Sequence, residues 1–226
     1  MASKRASLNF VVFSAIYILA MLACLRQWGS ADPWSRLDRF SGGYILASVL
    51  WVAASLRFFR FVSGPKDVAA ELTGASYDKK LFAVITGVSL AELLVFVDYG
   101  HWHLMPALEK PALQAAGIVL SLLALLWLVW TDRYLLAHFS AGLTQRKVIS
   151  GGPYRLVRHP RYFALIVSRI AFALALASPI AWGFLVVWIF AIARRIRLEE
   201  EHLRDVFGVD YAEYASRTAR LIPGVF

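Results

Sequence analysis

The chain has 226 residues, 59% of them hydrophobic and 17% charged, with a mean hydropathy of +0.59 and a formal net charge of +9. That composition is too apolar for a water-soluble domain of this size and predicts an all-α, polytopic membrane protein. A single cysteine, Cys24, excludes an internal disulfide and a cysteine-based metal site.

In chain order, Leu8 to Leu25 is an uncharged run long enough to cross a hydrocarbon core of about 30 Å as a helix. Lys4 and Arg5 ahead of it, with Gly29-Ser30-Ala31 behind, resemble a signal peptide. The run is longer than a usual signal core, and a retained helix is expected. Ser41 to Leu56 is a second span, with Arg57 and Arg60 able to snorkel from its end. Leu81 to Val97 is a third and carries one carboxylate, Glu92, while Ala112 to Trp130 is an uncharged fourth, ended by Asp132-Arg133. Tyr162 to Ala193 is about twice too long for one span and is interrupted by Ser178-Pro179, so it reads as a helical hairpin turning there. Each arm has about 15 residues, roughly 22 Å, so the hairpin stops short of a full span unless its polar ends extend it. About six transmembrane helices result. Arg194 to Phe207 prolongs the second arm, Gly208 suits its end, and Asp210 caps a short helix to about Arg217, with Leu221-Ile222-Pro223 closing the tail.

Lys and Arg outside the spans number 2, 3, 5, 1, 6, 0 and 6 from first segment to last. The alternation places both termini and the 57–80 and 132–161 loops in the cytosol, in an inner membrane if bacterial or the endoplasmic reticulum if eukaryotic. The positive charge therefore reads as topology with some anionic-lipid contact, and nucleic acid is not an expected partner. The chain divides near residue 131, with a transmembrane scaffold over 1–131 and a charged, chemistry-bearing part over 132–226 in one membrane domain.

Two motifs stand out in that second part. Residues 151–162 read Gly-Gly-Pro-Tyr-Arg-Leu-Val-Arg-His-Pro-Arg-Tyr, and 37 residues after Tyr162 comes Glu199-Glu200-Glu201. If the hairpin turns between Ser178 and Pro179, residues at equal depth on its arms have numbers summing to about 357. Glu199 then lies level with Arg158, and Arg195 with Tyr162. Arg158 and Arg161 can donate charge-assisted hydrogen bonds to Glu199 or Glu200, and His159 adds an imidazole, the side chain suited to moving a proton near neutral pH. Gly151-Gly152-Pro153 permits close backbone approach of a ligand. Singly, the arginines read as interface snorkelling and the glutamates as a solvated helix face; jointly, at matched depth, they read as a site.

Arg158-His159-Pro160-x-Tyr162, an apolar hairpin and Glu199-Glu200 resemble the signature of the isoprenylcysteine carboxyl methyltransferase and phospholipid methyltransferase superfamily. Gly152-Pro153-Tyr154 upstream and Leu203, Phe207-Gly208, Tyr211, Tyr214, Arg217 and Ile222-Pro223 downstream extend the resemblance over about residues 145–226. It implies an integral membrane enzyme that binds S-adenosylmethionine without a Rossmann domain. The residues it assigns to the cofactor pocket or its supports are Gly152, Pro153, Tyr154, Arg158, His159, Pro160, Tyr162, Glu199 and Glu200, with Arg195 facing the reacting centre. Ala164 departs from the family, which commonly has glycine two residues after the tyrosine; the added methyl would narrow the cofactor's approach.

Methyl transfer from a sulfonium needs neither metal nor covalent intermediate, and positioning carries most of the catalysis. A carboxylate acceptor wants a cation, a role for Arg195; a thiol or amine wants a base, Glu199 or His159. The abundance of arginine favours a carboxylate or other anionic acceptor on a lipophilic or prenylated molecule entering from the bilayer. Phospholipid N-methylation and thiol S-methylation are the neighbouring alternatives. An NADPH-dependent membrane reductase of the sterol type is a more distant one, disfavoured because paired carboxylates suit a sulfonium better than a polyphosphate. A transporter or adaptor would bind no cofactor. Arg169, about 10 Å below Tyr162, requires a partner at that depth. Glu92 is the best candidate, and the two form either a structural ion pair or a wall of the substrate tunnel. His101 and His103 flank Trp102 and read as an interfacial aromatic cluster sooner than a metal site, since no third ligand is evident.

Overall fold

The computed structural model describes residues 2–27, 30–62, 79–145 and 148–222, with side chains described except at 2–7, 57–62, 79–82 and 139–145. The side chains of Lys4, Arg5, Arg57 and Arg60, and Gly29 and Pro223, lie outside the described residues. The helices are α1 (Ala2–Leu25), α2 (Arg39–Val62), α3 (Lys79–Ala91), α4 (Leu93–Val97), α5 (Pro111–Gln145), α6 (Pro160–Ala175), α7 (Pro179–Phe207) and α8 (Val209–Arg217). Among the described residues there is no strand, and Val157 and Ala219 form one isolated parallel bridge. Among the described residues, five helical stretches are long and apolar enough to cross a membrane: Leu8–Leu25, Arg39–Leu56, Ala83–Trp102, Pro111–His138 and Pro179–Phe207. The chain is an all-α, polytopic integral membrane protein.

Both arms of the hairpin α6–α7 begin with proline at the first helical position, where the missing N–H costs no helical hydrogen bond. The turn lies where Ser178-Pro179 places it, with Ala177 in the left-handed region at φ 50°. The arms are unequal: α6 has 16 residues and falls short of a full span, while α7, with 29, reaches about 43 Å and carries its charged end well beyond a hydrocarbon core. The turn is pinned by Ser178 Oγ donating to Asp98 Oδ2 at 2.5 Å and by Gln114 Nε2 donating to the Ala175 carbonyl at 3.2 Å. Asp98 opens a π-helical turn, Asp98–Trp102, that lengthens the third span past Val97. At Glu92 the span breaks between α3 and α4, and Val95 N–H bonds back three residues to the Glu92 carbonyl.

Among the described helices, the most extensive contact is between α5 and α6. A methyl group on Gly117 would fall against the backbone of Ala171 and Ala175, so glycine is what allows the approach. Ala164, Ser168, Ala171 and Ala175 are all buried and recur at helical spacing along the same stripe of α6. Ala164 therefore sits in the α5-facing seam, where its methyl packs between helices. Beyond the seam, Tyr44, Phe96 and Phe172 pack ring against ring, at 4.9 Å between Tyr44 and Phe172 and 5.7 Å between Phe96 and Phe172. Asp132-Arg133 does not end the fourth long helix, which runs on to Gln145. Asp132 is buried and paired to Arg161 of α6, so its charge ties two helices together. Asp210 lies in the first turn of α8 while Gly208, at φ 53°, occupies the cap.

Candidate active site

Glu200 sits at the polar end of α7 and is 1% exposed, ringed by three arginines and a histidine. Arg158 Nε approaches its Oε1 at 3.0 Å, His159 Nε2 the same oxygen at 3.3 Å, Arg204 NH2 its Oε2 at 3.3 Å, and Arg220 NH2 its Oε2 at 3.1 Å. Arg158 also donates to the carbonyls of Ala215 and Thr218. The backbone N–H groups of Arg158 and His159 donate to the carbonyls of Ala219 and Arg220 at 2.8 and 3.0 Å. One buried carboxylate thus gathers the hairpin mouth, the end of α7 and the returning tail. Charge-assisted bonds of this kind offset the cost of hiding the charge only when the set is complete.

Glu199, one residue earlier, has a different environment. It is half-exposed, and Tyr162 donates its hydroxyl to Glu199 Oε2 at 2.8 Å. The same hydroxyl oxygen accepts from Arg195 Nε at 3.3 Å. Arg195 and Glu199, four residues apart on α7, share one helix face, and Tyr162 of α6 is interposed between them. The equal-depth rule paired Arg195 with Tyr162, and these two are in contact; it set Glu199 level with Arg158, whose partner is the adjacent Glu200.

The segment feeding this site is held by tyrosines. Gly152 has φ 56°, and a side chain at either Gly151 or Gly152 would strike Tyr134 of α5. The space those glycines leave is filled by Tyr134, whose ring lies 6.4 Å from that of Tyr154. Gly152–Arg155 forms a 3-10 turn, Pro153 is fully buried, and Tyr214 of α8 donates to the Tyr154 carbonyl at 2.7 Å. Burial raises the phenols of Tyr154, Tyr211 and Tyr214 above their ordinary range, so all three stay neutral at physiological pH.

Arg161 does not reach Glu199 or Glu200; its Nε donates to Asp132 Oδ1 at 2.7 Å. Deeper on α6, Arg169 NH1 donates to Glu92 Oε2 at 2.6 Å, Trp188 Nε1 donates to Glu92 Oε1 at 2.8 Å, and the guanidinium lies 4.7 Å from the centre of the Trp188 ring. Arg169 and Arg161 both line an open-sided cavity of about 440 Å³ bordered by α1, α2, α5 and α6. Glu92 stands behind Arg169 and is not part of the lining, so the ion pair and the cavity wall coincide at the arginine alone. His101 Nε2 meets the Cys24 carbonyl at 2.9 Å and His103 Nδ1 meets Glu109 Oε1 at 2.5 Å. Among the described residues no group of three or more His, Cys, Asp or Glu gathers as a metal site.

The sequence reading missed Arg204, Arg220, Tyr134 and Asp132 as partners. Arg204 carried a signal, its four-residue spacing from Glu200 on one helix. Arg220 carried none, because an extended tail beside residues 157–159 has no periodicity to betray its register.

Residues 111–210 match the family model for phospholipid methyltransferases. A segment of 80 residues is 40% identical to protein-S-isoprenylcysteine O-methyltransferase A of Arabidopsis thaliana, covering 34% of this chain and 40% of that one. Methanethiol S-methyltransferase of Mycobacterium tuberculosis is 28% identical over 155 residues, 61% of this chain and 62% of its own. Protein-S-isoprenylcysteine O-methyltransferase of Dictyostelium discoideum is 26% identical over 148 residues, 61% of this chain and 62% of its own. The chain spans about two fifths of the length of the first curated plant relatives it matches. The matched stretch, from α5 through the hairpin to the start of α8, holds Arg158, His159, Tyr162, Arg195, Glu199, Glu200 and Arg204 and is similar to phospholipid and isoprenylcysteine methyltransferases, while Arg220 and the returning tail lie beyond it.

Proposed function

We propose that this chain is an integral membrane methyltransferase that takes its methyl group from S-adenosylmethionine and delivers it to a lipophilic acceptor, foremost a carboxylate of the isoprenylcysteine type. The observation that carries this reading is the Tyr162 hydroxyl set between Glu199 and Arg195, an anion and a cation held at fixed separation beside a buried hub. The residues fit the cofactor: Glu199 is half-exposed with one oxygen engaged by Tyr162, an acceptor suited to an ammonium or a neighbouring sulfonium. When bound, S-adenosylmethionine supplies an electrophilic methyl whose carbon–sulfur bond breaks as the bond to the acceptor forms, with loss of the sulfonium charge.

Arg195 orients the acceptor carboxylate, and Tyr162 keeps Arg195 and Glu199 from collapsing onto each other. Arg158, His159 and Glu200 are positioning residues, with Gly152, Pro153, Tyr154 and Pro160 fixing the turn that presents them. No base is needed for a carboxylate acceptor. The relatives named as methanethiol S-methyltransferases favour a second reading, a thiol whose proton Glu199 removes. Phospholipid N-methylation would use the same base.

Residues 132–226 carry the chemistry in this reading and residues 1–131 the scaffold. The charge alternation sets both termini and the Glu200 end in the cytosol, where the polar cofactor enters. Calorimetry of the detergent-purified protein tests the assignment: S-adenosylhomocysteine should give binding heat and NADPH none, and Glu199→Ala should weaken that binding at least tenfold. Heat with NADPH alone would make the chain a reductase, and no heat with either would sink the enzyme reading. Labelled methyl transfer to prenylcysteine, thiol and phospholipid acceptors then ranks the substrates.

A further inference from the structure

The open-sided cavity bordered by α1, α2, α5 and α6 is not lined by Arg195 or Glu199, so it stands apart from the reacting centre. Its floor is Met21, Tyr44 and Phe172, all buried in the aromatic core. Eleven residues from that floor along α1, α2 and α6 stand Phe10, Ser55 and Arg161, which line the same space. At 1.5 Å per residue each of the three helices gives a depth of about 16 Å, close to half of a hydrocarbon core of about 30 Å. The cavity is therefore one leaflet deep. A volume of about 440 Å³ has room for roughly fifteen groups the size of a water or a methylene, which is one acyl chain and not two.

The polar groups along this depth are already engaged. Ser14, Ser48 and Ser168 donate to carbonyls of their own helices at 2.8, 2.9 and 2.7 Å, Tyr17 donates to the Ser89 carbonyl at 2.8 Å, and Arg169 is paired with Glu92. Groups satisfied within the protein make no demand on a ligand, so a saturated chain can lie against them. The mouth differs. Arg161, with 31% of its side chain exposed, is fixed there by Asp132, at the level where a leaflet's hydrocarbon gives way to its phosphates. A guanidinium matches a phosphate in both geometry and charge. We propose that this cavity is a binding site for a membrane phospholipid, which lays one acyl chain between α1, α2, α5 and α6 and sets its phosphate at Arg161. The second chain stays in the bilayer along the open side, where Phe13 is half-exposed. This lipid is not the methyl acceptor, and the site does not depend on the methyltransferase reading.

Native mass spectrometry of the delipidated full-length protein in detergent tests it, with phosphatidylglycerol and diacylglycerol of the same chains as probes and no methyl donor present. One phosphatidylglycerol should bind per protein, about tenfold tighter than diacylglycerol. Ser48→Leu on α2 and Ser14→Leu on α1 enlarge a side chain inside the cavity, and each should weaken phosphatidylglycerol at least about fivefold; either serves if the other does not fold. Arg161→Gln should cut the preference over diacylglycerol to less than about twofold, and Asp132→Asn joined to Arg161→Gln gives the same reading if a lone buried Asp132 is not tolerated. Equal affinities for the two probes, phosphatidylglycerol binding unchanged in both serine variants, or several lipids held with no tighter first one would overturn the proposal, the last marking an ordinary lipid annulus. Displacement of the bound phosphatidylglycerol by a prenylcysteine would also overturn it, by giving the cavity to the acceptor.

Discussion

Glu92 and Glu200 are equally hidden, each 1% exposed, but the structure satisfies them in opposite ways. Glu200, at the polar end of the hairpin, has three arginines and a histidine as partners, drawn from the hairpin mouth, its own helix and the tail. Glu92, at membrane depth, has one arginine and one indole. The difference follows from what each end of the bundle can supply. Near water, arginines cost little to gather, and a crowded hub binds three chain segments into a platform. Inside the bilayer each added charge is expensive, so a single cation is shared between a carboxylate, an aromatic face and the cavity. The first carboxylate is saturated and serves architecture, while the second leaves its arginine with a donor to spare.

That contrast can be broken most severely at Glu92. Glu92→Ala strands Arg169 and should cost about 3–5 kcal/mol, read as a collapse of thermal stability in detergent, whereas joint replacement of Glu92 and Arg169 by leucine should restore most of it. Glu200→Ala should cost less, about 2–3 kcal/mol, because Arg158 keeps two carbonyl partners and Arg204 and Arg220 reach solvent. Its mark is local, with the 218–222 segment becoming the first site cut in limited proteolysis. Tyr162→Phe removes only the hydroxyl between Glu199 and Arg195. It should cost about 1 kcal/mol of stability while weakening S-adenosylhomocysteine binding roughly tenfold by calorimetry. Arg217→Ala, which breaks a solvent-exposed pair with Glu213, should shift stability by a few tenths of a kcal/mol at most, the baseline for charge removal on this surface.

Much of this organisation was legible beforehand because membrane helices announce themselves by long apolar runs and prolines punctuate them. The hairpin, its turn and the contact of Arg195 with Tyr162 followed from Ser178-Pro179 and the constant helical rise. The ion pair of Arg169 with Glu92 followed from the cost of a lone charge at depth. The pairing of Arg161 was misjudged for a physical reason: its partner, Asp132, looked like a helix end, and only the continuation of α5 to Gln145 shows it as an inter-helix tie. The glycines at 151 and 152 read as room for a ligand, and the packed structure gives that room to Tyr134.

By itself, then, the sequence determined the class of the molecule, the location of its hairpin and part of the ionisable set that meets at the hairpin's polar end, Arg158, His159, Arg195, Glu199 and Glu200. Those depend on hydrophobicity, proline chemistry and helical rise, which act locally along the chain. Only the tertiary structure decided how the adjacent glutamates divide their work. Glu199 and Glu200 are consecutive residues of one helix, so about 100° of rotation separates them. Whether each meets a tail arginine or an open face depends on segments that return from elsewhere in the chain, and no local pattern records where they dock.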